Sequence, residues 1–319
     1  MNIITFLDAM TLGDDMDTGV FTELGKFTAY PYTNKDDTIE RITDANVIIT
    51  NKVILNSDNL KFAKDLKLIA LTATGYNNVD LDYCKANNIA VANVAGYSTE
   101  SVAQLTFSML FYLMNHMPYY DSYVKSGEYS KSPIYSNFSV PWHELAGQQW
   151  GIIGFGEIGK SVASKALSFG CKVKYYSTTG KNNDPNFECV SLDDLLKHSD
   201  IVSIHSPLNK YTEGLIGKKE LSLMKKSSIL LNMGRGGIVD EAALADAINN
   251  SCIFASGTDV LTKEPISADN ALLKIKDKSK ILIMPHLGWA SVEARTRLID
   301  EVYENIIAFF GNSQRNRIV

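Results

Sequence analysis

Three side chains that could act together in a reaction follow apolar runs at widely separated points of the chain. Arg235 follows "SSILLNMG", Glu264 precedes a proline in "GTDVLTKEP", and His286 follows a proline in "ILIMPHLGWAS". An arginine offers a fork of donors that matches a carboxylate or a carbonyl oxygen. A histidine can give a proton to an oxygen that gains charge, and a nearby glutamate favours the protonated imidazole and fixes its orientation.

Each of the three residues, taken alone, also has an ordinary explanation. An arginine after a strand is often a surface ion-pair partner, and a histidine beside a proline is often a turn residue. In an open parallel sheet, however, ligands bind outside the carboxyl ends of the strands. Because all three side chains follow predicted strands, we expect them to lie at one edge of one sheet.

A glycine-rich turn adds a second element to this site. Gly154, Gly156 and Gly159 form the pattern G-x-G-x-x-G, which also includes Glu157 and Ile158. The strand "QWGIIG" precedes it and the helical pattern "EIGKSVASKAL" follows, which is the context in which this spacing binds a dinucleotide. The glycines permit the tight turn, the approach of the pyrophosphate and the packing of helix on strand, and the helix N-terminus faces the phosphates. Together with Arg, Glu and His, the motif predicts a reductase of a 2-keto acid.

The strand after the glycine motif bears on which dinucleotide is admitted. It ends in "KVKYYSTTGKNN", and Ser177 stands where an acidic residue would hold the adenosine ribose of NAD. Ser177 carries no negative charge that would repel a 2′-phosphate. Thr178, Thr179 and Lys181 could bind such a phosphate. The sequence therefore admits NADP as well as NAD.

Short β-branched runs alternate with helical patterns in both halves of the chain. The runs are "IITFLD", "NVIITN", "LKLIALTATG" and "IAVANVAG", then "QWGIIGFG", "CKVKYYS", "DIVSIHS", "SSILLNM", "IFASGTDV" and "KILIMP". A long helical pattern covers about 99–117, and an amphipathic helix ends the chain. This alternation predicts an α/β fold of two doubly wound, Rossmann-like units with parallel sheets.

Composition and charge exclude several classes of partner. The 319 residues carry a formal charge of −5 without a basic stripe, so no nucleic acid is expected. The most apolar long segment, "SVAQLTFSMLFYLMNHM", is too short to span a bilayer, so no membrane partner is expected. The cysteines, Cys84, Cys171, Cys189 and Cys252, lack the spacing of a metal site or a disulfide framework. We expect no metal, and four reduced core thiols in a cytoplasmic protein.

Over essentially its whole length the chain resembles the D-isomer-specific 2-hydroxyacid dehydrogenases. The matching stretches, in the family's order, are "TATGYNNVDLD", "NVAGYSTESVAQLTF", "GIIGFGEIGKSVA", "NMGRGGIVDEAAL", "GTDVLTKEP" and "MPHLGWAS". The resemblance implies an NAD(H)-dependent cytoplasmic oxidoreductase, and a homodimer supported by the long helix near 99–117. It also implies a dinucleotide-binding domain, 99–287, inserted into a substrate domain of residues 1–98 and 288–319, with the active site in the cleft between them.

The resemblance also implies a role for each matching residue. Arg235, Glu264 and His286 occupy the family's catalytic positions. The substrate carboxylate is expected on the loop around Thr74, Gly75 and Tyr76, and on Arg235. The cofactor contacts expected are Gly154, Gly156, Glu157, Ile158, Gly159, Ser177, Thr178, Lys181, His205, Pro207, Thr212 and Asp259. Of these, Asp259 matches the residue at the nicotinamide amide, and His205 and Pro207 match the wall of the adenine pocket.

Within the family, "VAGYSTESVAQ", "DVLTKEPISADN" and "PHLGWASVEARTRLID" resemble most the glycerate dehydrogenase, or hydroxypyruvate and glyoxylate reductase, branch. The expected reaction is reversible hydride transfer between a nicotinamide cofactor and a small 2-keto or 2-hydroxy acid. A D-lactate or other D-2-hydroxyacid dehydrogenase is an alternative, because side-chain size at C3 depends on the geometry around Tyr76, Tyr97 and Trp289. A dinucleotide-sensing protein, like the family's corepressors, is a second alternative, against which the intact Arg–Glu–His set argues.

Overall fold

A computed structural model describes residues 1–181 and 184–319 of the chain. They divide into two compact units, the first formed by Met1–Ser98 with Trp289–Val319 and the second by Thr99–Gly288. The roles of substrate domain and dinucleotide domain stay predictions for these units.

The first unit contains a five-stranded parallel sheet. Its N-terminal part comprises β1 (Ile3–Phe6), β2 (Lys26–Ala29), α1 (Thr38–Ile42), β3 (Val47–Thr50), α2 (Ser57–Leu60), β4 (Leu68–Leu71), α3 (Leu81–Ala86) and β5 (Ala90–Ala92). The strand order is β2-β1-β3-β4-β5. The central strands read "VIIT" and "LIAL" and are buried at every position, because parallel sheets are covered on both faces.

The second unit contains a seven-stranded parallel sheet. Its elements are α4 (Thr99–Met114), α5 (Met117–Lys125), β6 (Gln149–Ile153), α6 (Glu157–Ser168), β7 (Lys172–Tyr176), β8 (Glu188–Cys189), α7 (Leu192–His198), β9 (Ile201–Ile204), α8 (Lys218–Leu223), β10 (Ile229–Asn232), α9 (Glu241–Asn249), β11 (Ala255–Thr258) and β12 (Ile281–Ile283). The strand order is β12-β11-β10-β9-β6-β7-β8. The chain therefore reverses direction across the sheet between β6 and β9, which is where α/β sheets bind ligands.

Successive residues of the inner strands face opposite sides of the second sheet. Ile152 and Leu231 belong to a core that includes buried residues of α4 and α6. Their neighbours Ile153 and Leu230 belong to a separate core that includes buried residues of α7, α8 and α9. Helices thus cover both faces of this sheet. The predicted α/β fold of two parallel-sheet units is confirmed.

The last helix, α10 (Val292–Phe310), packs in the first unit. Ser291 caps its N-terminus by accepting a hydrogen bond from the Ala294 amide at 3.2 Å. Beyond the helix, the C-terminal tail runs antiparallel to β5, and the Ile318 amide donates to the Val91 carbonyl at 2.8 Å. The tail therefore continues the sheet beyond its last parallel strand.

The cysteines follow the prediction only in part. Cys84 and Cys171 are buried, and burial raises the pKa of each thiol to about 11. Cys189 is exposed and Cys252 is half-buried, so the prediction of four core thiols is wrong for these two. Cys189 is exposed because it lies on β8, the two-residue strand at one end of the sheet.

The long apolar segment of the sequence lies largely in α4. Among the helices of residues 1–181 and 184–319, none is long and apolar enough to cross a membrane.

Candidate active site

Arg235, Glu264 and His286 lie on the loops that follow β10, β11 and β12. These three strands are neighbours in the second sheet and all run in the same direction. Their carboxyl ends therefore meet at one edge, as the sequence predicts.

Glu264 and His286 form a hydrogen-bonded pair. Glu264 Oε2 lies 2.7 Å from His286 Nδ1, and Glu264 Oε1 accepts the Leu261 amide at 2.8 Å. An ionised carboxylate only accepts hydrogen bonds, so the Nδ1 of the imidazole carries a proton and donates to it. His286 Nε2 is then the ring nitrogen left to face a substrate. The His286 side chain is 27% exposed, which leaves it accessible.

The backbone at His286 adopts a conformation that few side chains tolerate. Its φ is +58°, in the left-handed region. Asp259, which is 3% exposed, holds the two residues that follow His286. Its two carboxylate oxygens accept the amides of Leu287 and Gly288, each at 2.7 Å. Burial raises the pKa of the Asp259 carboxyl, and these amides and the nearby His286 oppose that rise. Asp259 therefore stabilises the strained loop that presents the imidazole.

This bracing role of Asp259 was missed by sequence reasoning, which predicts only a contact with the nicotinamide amide. That contact stays a prediction, and the two roles are compatible because each carboxylate oxygen has a second lone pair. The signal in the sequence is an acidic residue directly after the strand "ASGT".

Arg235 lies in a turn that is closed by Asn232, another residue that sequence reasoning missed. The Asn232 amide group donates to the Arg235 carbonyl at 3.1 Å and accepts the Gly234 amide at 3.2 Å. Arg235 Nη1 donates to the Gly234 carbonyl at 2.8 Å, and the guanidinium has no ion-pair partner among the residues that the structure describes. The exposed arginine can therefore bind an external anion.

Glycines let the loops at this sheet edge approach one another closely. A Cβ on Gly154 would lie 2.7 Å from the Ser206 amide nitrogen, and one on Gly234 would lie 2.5 Å from the Ser206 carbonyl. A Cβ on Gly236 would overlap the backbone of Leu261 and Thr262. Each of the loops after β6, β9, β10 and β11 thus contacts the next one along the sheet through backbone atoms. We call the three glycines that permit these contacts, Gly154, Gly234 and Gly236, the glycine seam.

The glycine motif has the geometry that a bound diphosphate requires. Gly154 has a φ of +88°, which favours glycine, and a Cβ on Gly159 would overlap the Gly154 carbonyl. A Cβ on Gly156 would meet nothing within 4 Å, so open space lies beside its backbone at the start of α6. Glu157 and Ile158 form the first turn of that 12-residue helix. These residues fit a dinucleotide whose phosphates lie at the helix N-terminus.

The loop after β9 carries buried polar atoms without partners. Trp150 Nε1 donates to Ser203 Oγ at 2.9 Å, and that oxygen lies 3.0 Å from His205 Nε2. Burial lowers the pKa of His205 to about 3, so its imidazole is neutral. His205 Nδ1 and Ser206 Oγ are buried and have no hydrogen-bond partner in the described part of the chain. Such atoms fit a site that a polar ligand completes.

The other predicted cofactor residues flank this loop and the end of β7. Pro207 is exposed, whereas Thr212 is buried and its hydroxyl donates to the Pro207 carbonyl at 2.6 Å. Thr212 therefore braces the loop, and its contact with a cofactor stays a prediction.

The segment that sequence reasoning links to the 2′-phosphate follows β7 directly. Ser177 is buried, Thr178 is half-buried, and Lys181 is exposed. The Gly180 amide donates to the Ser177 carbonyl at 3.2 Å, which turns the chain back at this point. Asn182 and Asn183 lie outside the described residues.

Thr74, Gly75 and Tyr76 follow β4 in the first unit. Thr74 is anchored, because its hydroxyl donates to the Val94 carbonyl at 2.8 Å. Gly75 is half-buried and Tyr76 is exposed, and their backbone amides donate no hydrogen bond within the described ranges. Unpaired backbone amides of successive residues can bind an anion. We call residues 74–76 the anion cradle.

Comparison with known proteins agrees with this geometry. The family model described as "D-isomer specific 2-hydroxyacid dehydrogenase, NAD binding domain" matches residues 107–288. The hydroxypyruvate reductase of Blautia hydrogenotrophica is 34% identical and the glycerate dehydrogenase of Methylorubrum extorquens is 35% identical, each over 98% of both chains. A solved acyclic imino acid reductase in complex with NADPH and D-Arg has a TM-score of 0.87 at 28% identity, covering 99% of this chain and 100% of its own.

The family match includes the glycine motif and all three strand-end residues, and the relatives match along nearly the whole chain. The predicted family, enzyme class and nicotinamide cofactor are thereby confirmed. The chain belongs to the D-isomer specific 2-hydroxyacid dehydrogenase family and is an NAD-dependent oxidoreductase that acts on CH–OH groups.

Proposed function

We propose that this enzyme interconverts a small 2-keto acid, hydroxypyruvate or glyoxylate, and the corresponding hydroxy acid, at Arg235, Glu264 and His286. The observation that carries the proposal is the arrangement of a Glu–His pair at 2.7 Å and an unpaired arginine on adjacent strand ends. Relatives named hydroxypyruvate reductase and glycerate dehydrogenase support this substrate class over lactate.

The three side chains divide the work of the reaction. The guanidinium of Arg235 binds the substrate carboxylate and polarises the keto oxygen. A nicotinamide cofactor held at the glycine motif would supply the hydride that C2 receives. As the C=O π electrons move to oxygen, His286 Nε2 donates a proton to it, and the hydroxy acid results. Glu264 keeps the imidazole oriented through Nδ1, and in the oxidation direction the same nitrogen, Nε2, takes the proton back.

The remaining predicted residues supply binding. The anion cradle would hold the substrate carboxylate, which makes the first unit the substrate domain. Gly154, Gly156 and Gly159 would hold the diphosphate, which makes the second unit the dinucleotide domain. Ser177 and Lys181 would admit the 2′-phosphate of NADP as well as the ribose of NAD.

We further propose a cytoplasmic homodimer. Support for a second copy comes from an aromatic arm in the second unit, residues 129–142, where Tyr135 is 89% exposed, Phe138 78% and Trp142 54%. Clustered exposed aromatic side chains of this kind are typical of interfaces. The homodimer predicts a mass twice 35.2 kDa by light scattering, and Tyr135→Ser with Phe138→Ser is expected to halve it.

Absorbance of the reduced nicotinamide, followed with hydroxypyruvate and with glyoxylate, tests the proposal. We expect turnover by the wild type, and loss of about 10²- to 10³-fold or more in kcat for Arg235→Ala and for His286→Ala, with unchanged melting temperature. Wild-type rates in either folded variant would refute the assigned roles. Absence of turnover with both keto acids and with both NADH and NADPH would favour longer 2-keto acids, and then the dinucleotide-sensing alternative.

A further inference from the structure

A chain of asparagine side chains connects the C-terminal tail to the anion cradle. Asn316 Nδ2 donates to Asn305 Oδ1 at 2.9 Å, and Asn305 Nδ2 donates to the Asn93 carbonyl at 3.1 Å. Asn93 Nδ2 then donates to the Thr74 carbonyl at 2.7 Å. We call Asn93, Asn305 and Asn316 the asparagine relay. It belongs entirely to the first unit.

The two inner members of the relay, Asn93 and Asn305, are buried. Asn305 is 2% exposed and Asn93 is 8% exposed, so neither amide group can exchange its partner for bulk water at low cost. The Asn93 backbone amide also donates to the Asn316 carbonyl at 3.2 Å, which closes the tail onto the end of β5. Asn316 is exposed and its Nδ2 also donates to Glu301 Oε2 at 3.3 Å, so the relay opens to the surface only at its outer member. A single substitution in the relay leaves a buried polar group without its partner.

The relay contacts the cradle at a backbone carbonyl and leaves its unpaired amides free of contact. Thr74 is held at its carbonyl by Asn93 and at its hydroxyl by the Val94 carbonyl, and the Val94 amide donates to the Ala73 carbonyl at 3.0 Å. The carbonyls of Ala73 and Thr74 thus both accept hydrogen bonds from residues at the end of β5. With these carbonyls fixed, the amides of Gly75 and Tyr76 are left to bind the anion.

From this geometry we propose that the asparagine relay positions the cradle for the carboxylate of the substrate. Asn93 and Asn305 are positioning residues, since they act through Thr74 and not on the substrate. This inference rests on the proposed function, because it assumes that residues 74–76 bind the carboxylate. It adds that α10 and the tail, far from Thr74 in sequence, determine substrate affinity.

Isosteric substitutions test the relay. Asn93→Asp and Asn305→Asp keep the side-chain shape and remove the donated hydrogen bond, while Asn316→Ala removes the exposed outer member without adding charge. Asn87→Asp is the matched control, because it removes a 2.9 Å bond from Asn87 Nδ2 to the Tyr83 carbonyl in the same unit, outside the relay. The measurements are kcat and KM for hydroxypyruvate, the inhibition constant of oxalate, the NADPH dissociation constant by fluorescence, and the melting temperature.

We expect KM and the oxalate inhibition constant to rise at least fivefold in Asn93→Asp and Asn305→Asp, and two- to threefold in Asn316→Ala. The kcat and the NADPH dissociation constant should stay within twofold of wild type, as should every constant of Asn87→Asp. A merely structural role would lower the melting temperature or the active fraction without changing KM. Wild-type KM and oxalate inhibition in folded Asn305→Asp and Asn316→Ala would overturn the relay and leave the proposed function standing. A wild-type enzyme that neither turns over hydroxypyruvate nor binds oxalate would overturn both.

Discussion

Gly236→Ala tests whether the glycine seam sets the distance between Arg235 and the Glu264–His286 pair. The added methyl group would overlap the backbone of Leu261 and Thr262, in the loop that leads to Glu264. An ordinary contact begins at 3.4 Å, so the two loops must separate by more than ~1 Å. The φ of Gly236 lies outside the left-handed region, and alanine therefore brings no backbone strain of its own.

A displacement of this size has a large effect on the reaction. A misplacement of about 1 Å between reacting groups lowers the rate about 10²-fold. We expect kcat for hydroxypyruvate to fall by about that factor, and the NADPH dissociation constant to stay within threefold, because the glycine motif itself is unchanged. Steady-state absorbance measures the first quantity and fluorescence titration the second.

The matched control is Gly217→Ala, in the same unit. Its Cβ would meet only Glu220 Oε2, at 3.5 Å, and its φ is −110°. This variant should retain wild-type kcat. If Gly236→Ala has the wild-type melting temperature and also keeps the wild-type kcat, the loops tolerate separation and the seam does not position the catalytic groups.

Three further changes probe the cofactor side of the site. Ser177→Asp should shift the ratio of kcat/KM for NADH over NADPH upward about 10- to 100-fold, because a carboxylate repels the 2′-phosphate and binds the ribose hydroxyls; an unchanged ratio would show that this position does not select the cofactor. Glu157→Gln should tighten NADPH binding about two- to fivefold at low salt and less at high salt, because Glu157, exposed in the first turn of α6, opposes the diphosphate; weaker binding would contradict this. His205→Asn should make the enzyme more resistant to acid. The pKa of His205 is lowered to about 3 in the folded state, so the unfolded state takes up the proton first as pH falls below about 6.5. Between pH 7 and pH 5 the wild type should lose about 2 kcal/mol of unfolding free energy relative to the variant, by urea denaturation, with exposed His198→Asn as the control; an equal loss in wild type and His205→Asn would refute the burial argument.

The amino-acid sequence was enough to predict the α/β class, the glycine motif and the sheet edge at which Arg235, Glu264 and His286 meet. The reason is that these features are local. Each catalytic residue directly follows an apolar run, and parallel strands of one sheet end at the same edge. Ser177 could be placed for the same reason, because it directly follows β7.

The groups that stabilise that edge could not be predicted, because they are brought together by the folding of distant segments. Asp259 holds the amides of Leu287 and Gly288 across 28 and 29 residues of sequence, and Asn305 reaches the Asn93 carbonyl across 212. Such pairs have no fixed spacing, since they depend on which strands become neighbours and how the helices return the chain. Cys189 shows the same limit. It is exposed because β8 is the last strand of the sheet, and strand order is a property of the folded molecule.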